Sequence, residues 1–206
     1  MPQQPHPKSS ELHLFLLWER ARSHETRILA SIRERFEIMA LKEVVWRKDR
    51  FARNLTRFYG KKLPDNSSKV REVGTGPLLL LIVKDHRPLY ELRKTSKGAR
   101  LVNVNTFDAK MDYRRMTSAG EHLDSTVHAT NDVAETRQDI VLLTGRTYGD
   151  WFAGEPEDGM TYPREERDVL GLGGWATIYD LFHVLNESLP YVVLRNFERM
   201  DEELVS

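Results

Sequence analysis

The apolar positions recur with two periods, and the order in which those periods alternate predicts the elements. Leu14, Leu17, Ala21, Ile28 and Ile32 return at helical steps, a single stripe that predicts a long first helix capped by Ser9 or Ser10. Phe36, Ile38 and Ala40 alternate, although Met39-Ala40-Leu41-Lys42-Glu43 are good helix formers; residues 36–46 are assigned to a strand. Asp49 is placed to cap a helix carrying Phe51, Leu55, Phe58 and Tyr59, which Gly60 ends. Residues 61–76, rich in Pro, Asn, Ser and Gly, read as a loop. It opens into Pro77-Leu78-Leu79-Leu80-Leu81-Ile82-Val83, a continuous apolar run expected of a central strand covered on both faces.

Residues 89–94 and 99–105 flank Thr95-Ser96-Lys97-Gly98 and predict a hairpin with Gly at its turn. A helix over 107–116, ending at Gly120, a short strand over 122–130, and a helix over 133–143, ending at Gly145, follow. Residues 146–174 mix Gly, Pro, acidic and aromatic positions without period. Structureless segments of that length act as lids or inserts, so a lid-like insertion is expected here. Trp175, Ile178, Tyr179, Phe182 and Leu185 mark an amphipathic helix. Pro190 breaks it before a last strand, Tyr191-Val192-Val193-Leu194.

Helices alternating with apolar strands predict an α/β fold in three layers. Its sheet is expected to be mixed but mostly parallel, of about five strands, flanked by helices. The expected organisation is a disordered lead over 1–9, one domain over 10–200 containing the insertion 146–174, and an acidic tail over 201–206. No repeat of solenoid period occurs.

Composition changes this picture in three ways. The 206 residues include no cysteine, which excludes a disulfide framework, a thiolate zinc site and a cysteine nucleophile. The N-terminus is polar and proline-rich without an apolar h-region, and the run 77–83 is far shorter than a membrane span. A cytoplasmic protein with no membrane partner is expected, and the Asn-x-Ser/Thr triplets at Asn54, Asn66 and Asn186 then carry no meaning. The 31 basic and 31 acidic residues cancel, yet they are unevenly spread. Residues 84–115 hold nine Lys/Arg against four Asp/Glu, whereas 150–206 hold four against thirteen, so an anionic ligand is expected near the first segment.

Ligands of open α/β sheets sit beyond the carboxyl ends of the strands, so the residues following each apolar run are the candidates. Asp85, after the central strand, is a candidate general base; the competing role is an Asx turn before Pro88. His128 is a candidate acid/base or phosphate partner, against a hydrogen-bonded core histidine. Asn103 and Asn105 share strand parity and present two amides for a sugar or base edge, unless they face solvent. Thr130 and Asn131 open a helix whose backbone N–H groups suit a phosphate, although Asn131 or Asp132 also makes a good N-cap and Glu135 its capping-box partner. Lys110 and Arg114, at i and i+4, form a phosphate clamp that Arg195 joins from the last strand. His122, Asp124 and His128 share parity and offer a weak metal set; Mg²⁺ arriving with a phosphorylated substrate is the expected metal, with no protein-held ion.

No P-loop, dinucleotide fingerprint, nucleophile elbow or kinase motif is present. The function these residues predict is glycosyl or nucleotidyl group transfer on a phosphorylated or nucleotide-linked small molecule. Asp85 or His128 would be the base, Lys110 and Arg114 the clamp, and Trp151, Phe152 and Tyr162 part of the lid. The alternative is a non-catalytic nucleic-acid-binding module, with Tyr90 and Tyr113 stacking on bases beside the basic hairpin, or a protein-interaction module.

Overall fold

The computed structural model describes residues 9–96, 98–118, 125–157 and 162–189. In chain order these form strand β1 (Glu11–Leu17), helix α1 (Glu25–Arg35), strand β2 (Glu37–Val45), helices α2 (Phe51–Tyr59) and α3 (Ser68–Val73), and strand β3 (Leu78–Asp85). The hairpin β4 (Tyr90–Thr95) and β5 (Gly98–Asn103) follows, then α4 (Val104–Thr117), β6 (Val127–Ala129), α5 (Val133–Thr144), α6 (Tyr148–Ala153), β7 (Arg164–Glu166) and α7 (Ile178–Ser188). Strands β6-β1-β3-β2-β7 make one sheet in that order, while β4 and β5 pair only with each other among the described residues.

The sheet is mixed but mostly antiparallel. Among the described residues, pairs β1/β3, β1/β6 and β2/β3 are antiparallel and only β2/β7 is parallel, which corrects the mostly parallel expectation. The reason lies in the connections. Strands β1 and β2 flank β3, and β3 and β6 flank β1, so each helical crossover skips the strand between its two ends. That is a split β-α-β arrangement, and the strands inserted between run the other way.

Strand β3 sits at the centre as predicted, and Leu78 through Val83 are all fully buried. The expected first helix is instead β1, a 3-10 turn over Glu19–His24, and α1. Leu12, Leu14 and Leu16 face one layer and Phe15 and Leu17 the other, so β1 is apolar on both sides and its leucines mimic a helical stripe. The first layer holds α2, α3, α5, α6 and α7, and the second holds α1 and α4.

Gly60 ends α2 in the left-handed conformation, as its position predicts. Asp49 is not its cap; a 3-10 turn over Lys48–Arg50 precedes the helix. Helix α3, capped by Ser67, interrupts the expected loop 61–76. The segment 146–174 is tied down over its described part. Strand β7 joins the sheet edge beside β2, and the α6 residue Trp151 is buried in the first layer. Tyr162 hydrogen-bonds Glu25 of α1, so these aromatics are packing groups of the fold. The predicted strand 191–194, Arg195, His122, Asp124 and the tail 201–206 lie outside the described residues.

Candidate functional site at the β6 edge

Strands β3 and β6 run in the same direction on either side of β1, so their carboxyl ends point to one end of the sheet. This is why reading strand ends found polar clusters in a sheet that is mostly antiparallel. The clusters are nevertheless two. His128 pairs with Leu16 across β1, whereas Asp85 pairs with Glu11. Five residues of strand separate them by about 17 Å along β1. Their side chains also leave opposite faces: His128 meets Phe58 and Tyr59 in the first layer, and Asp85 meets Asn103 beside α4 in the second. The two groups cannot act on one reacting atom.

Asp85 is a structural hub. One carboxylate oxygen accepts from the Arg87 backbone N–H at 2.9 Å, the Asx turn before Pro88, and the other accepts from Asn103 and Asn105 at 2.9 Å each. Asn103 Oδ1 caps α4 by accepting from the Asn105 and Thr106 N–H groups, so its amide NH₂ is fixed towards Asp85 and His13 Nε2. His13, fully buried, therefore accepts at Nε2 and turns Nδ1–H to Thr130 Oγ1 at 3.3 Å. The amides of Asn103 and Asn105 are thus consumed internally. Asn105 is also in the first turn of α4 rather than on a strand, which voids their shared strand parity. Beside this network lies a cavity of about 470 Å³, lined in part by Asp85, His86, Arg87, Asn105 and Asp108.

The second cluster gathers at β6, the edge strand of the sheet among the described residues. His128 is buried, with Nε2 2.9 Å from an Asp139 carboxylate oxygen, and its ring is packed edge-on against Phe58 and Tyr59 at 5.1 and 5.9 Å. A carboxylate on Nε2 favours the tautomer with the proton there, which makes Nδ1 the basic nitrogen. Helix α4 wraps the edge. Lys110 Nζ donates to the Ala129 carbonyl at 3.1 Å and to Asn131 Oδ1 at 2.8 Å, and Arg114 Nε donates to the Val127 carbonyl at 2.7 Å. These carbonyls belong to an edge that would otherwise invite a further strand, so the predicted clamp residues also blunt it. Glu135 accepts from the Asn131 backbone and side-chain amides at 2.7 and 2.8 Å, and Asp132 is the N-cap of α5. Thr130 turns its hydroxyl towards His13 and Thr136, away from this cluster.

Three contributors come from positions that strand-end logic does not address. Lys69 of α3 stands 4.6 Å over the Tyr59 ring. Burial, and secondarily the Arg114 charge, lower the Lys69 ammonium to about 8. The same causes in the same order lower Lys110 to about 8. Burial raises the Tyr59 phenol, which also feels Arg114, Asp139 and Glu135. Trp18, fully buried against Phe58 and Tyr59, carries the one buried side-chain nitrogen or oxygen among the described residues that meets no hydrogen-bond partner. Its Nε1–H lies close enough to the Tyr59 hydroxyl to act on that group's acidity. The only sequence hint of Asp139 was a carboxylate abutting the apolar run Ile140-Val141-Leu142-Leu143.

One atom each from His128, Glu135 and Asp139 lies within 4.8 Å of the others, a set that can hold a divalent cation. Asn131 and His128 already engage the two carboxylates, and Lys69, Lys110 and Arg114 surround the group. This surrounding favours an anion over a bare cation. Its pH signature is specific. Folded pKa values near 8 against 10.5 in the free side chain mean that the unfolded chain binds more protons between about pH 8 and 10.5. These two lysines therefore make stability rise with pH across that window, while affinity for an anion falls as they lose charge. Urea midpoints from pH 7.5 to 10 for the wild type and Lys69→Met should diverge in that direction; parallel profiles would refute the assignment.

No family model matches the chain, and no curated relative does. Among solved structures, the chain is similar to the nucleoside diphosphate kinase of Aquifex aeolicus, with 14% identity, 64% of this chain and 93% of that chain covered, and a TM-score of 0.42. It is similar also to the nucleoside diphosphate kinase of Encephalitozoon cuniculi, with 17% identity, 66% and 90% covered, and a TM-score of 0.43. No helix among the described residues is long and apolar enough to cross a membrane.

Proposed function

We propose that the β6 edge binds the phosphate groups of a small nucleotide-type molecule and supports group transfer at phosphorus, with His128 as the reactive base. The observation that carries this is a buried imidazole, held through Nε2 by Asp139 and packed on Phe58 and Tyr59, with Lys110 and Arg114 on the carbonyls either side of it and Lys69 over the Tyr59 ring. In the reaction, the proton of an acceptor hydroxyl passes to His128 Nδ1. The acceptor oxygen bonds to phosphorus as the bond to the leaving oxygen breaks, and that oxygen departs with the electron pair. Lys69, Lys110 and Arg114 offset the charge that accumulates, which is what such transfer requires of a protein. Mg²⁺ would arrive on the phosphates rather than on a dedicated protein site.

Transfer at phosphorus, nucleotidyl or phosphoryl, is favoured over glycosyl transfer because Lys110 and Arg114 bond the backbone carbonyls on both sides of His128. The nucleic-acid reading loses one of its two stacking groups, since Tyr113 is 1% exposed. The test is a thermal-shift series with nucleoside mono-, di- and triphosphates, with and without Mg²⁺. A ligand at 100 times its Kd stabilises the fold by about 2.7 kcal/mol, a shift of several degrees. The shift should shrink in Lys69→Ala and grow with phosphate number. Absence of a shift with every phosphorylated ligand would defeat the proposal.

A further inference from the structure

The segment 47–62 carries seven Lys/Arg and one acidic residue, a density unmatched by the segment 84–115 that the sequence singled out. Much of this charge converges on a groove that the His128 site does not use. Arg53 and Arg57, one turn apart on α2, lie on the side of the helix opposite the fully buried Leu55. Together with Lys62, Leu63, Pro64 and Asp65 they line a cavity of about 420 Å³, a size suited to a small organic ligand.

Both guanidinium groups are held in place. Arg53 Nη2 donates to the Leu172 carbonyl and Arg57 Nε to the Leu170 carbonyl, each at 3.4 Å, and Arg57 stacks over the Trp175 ring at 5.0 Å. Trp175 is itself fixed, because its ring fills the space beside Gly171 where a Cβ would come within 2.7 Å. The Lys62 ammonium makes no hydrogen bond or ion pair with any described residue. Three cations thus face one carboxylate, Asp65, around an apolar floor. This combination attracts an ion with more than one negative charge, and arginine forks suit phosphate oxygens.

We propose that this groove is a second anion site that takes a diphosphate group, free or as part of a nucleotide. Trp175 supplies a local reporter, since Trp18, Trp46 and Trp151 are all buried. Pyrophosphate, ADP, AMP and adenosine are titrated into the full chain by tryptophan emission and, in parallel, by calorimetry. Pyrophosphate should change the tryptophan emission of the wild type and of Lys69→Ala, and Trp175→Phe should lose that change. The surface variant Arg53→Ala/Lys62→Ala should bind it at least tenfold more weakly. ADP binding as well as pyrophosphate assigns the nucleotide source, and pyrophosphate alone assigns the free ion. Equal affinity in wild type and Arg53→Ala/Lys62→Ala, or binding lost only with Lys69→Ala, would overturn the proposal, as would no heat of binding with either diphosphate. Because Lys69→Ala weakens only the β6 site, failure here and failure there remain distinguishable.

Discussion

His128→Gln is expected to lower turnover of a phosphorylated donor by about 10²–10⁴-fold while leaving the thermal midpoint within a few degrees of the wild type. The glutamine amide retains a donor that can reach Asp139 but has no basic nitrogen, so it preserves the packing between Phe58, Tyr59 and α5 and removes the chemistry. The loss should fall on kcat, because the phosphates rest on Lys69, Lys110 and Arg114 rather than on the imidazole. Asp139→Asn tests the same assignment from the other side. An amide in that position can donate to Nε2, which would move the imidazole proton to Nδ1 and block the basic nitrogen. It should therefore reduce kcat with little change in ligand affinity. Steady-state kinetics on both variants decides the matter; a His128→Gln protein that keeps its kcat would end the reading of His128 as the base.

Several parts of this site were legible in the sequence for a reason the sheet explains. Lys110, Arg114, Asn131 and His128 follow from reading strand ends and helical spacing, and both depend on local geometry that survives in any sheet where β3 and β6 run together. Asp139 is one helix beyond His128, but recognising it needed the packing of α5 on the first layer. Tyr59, Lys69 and Trp18 arrive from α2, α3 and the end of β1, and no local pattern announces a meeting of three separate elements. The difference over residues 11–17 has another origin. In β1, leucines at both parities satisfied a helical stripe, since a strand buried on both faces has no period of its own. Misreading β1 also hid His13, which a helix would have placed without partners. Likewise, the charge count points to residues 84–115, where Lys94 and Arg100 of the hairpin are exposed to solvent, and away from α2.

Asn103→Ala is expected to cost about 3 kcal/mol or more of stability, a larger structural effect than any single change at the β6 edge. Three losses coincide at this side chain. Its Oδ1 caps α4, and removing such a cap costs about 1 kcal/mol. Its NH₂ serves both the Asp85 carboxylate at 2.9 Å and His13 Nε2 at 3.0 Å, and Asp85 and His13 are 3% and 0% exposed. Leaving a buried acceptor short of its donor costs about 1–3 kcal/mol, more for a charged one. Asp85→Asn is milder in charge but sets an NH₂ against either the Arg87 N–H or the Asn103 and Asn105 NH₂ groups, so it too should destabilise. Neither change alters a side chain of the His128 cluster, which lies about 17 Å along β1 and on the other face, and the Asn103 backbone N–H keeps its bond to the Asn131 carbonyl. Turnover per folded molecule should consequently stay within about a factor of three, measured below the unfolding transition. Urea denaturation gives the first quantity and kinetics the second. If Asp85→Asn instead abolished turnover in protein that remained folded, Asp85 would be the base and the cavity beside it the place of reaction.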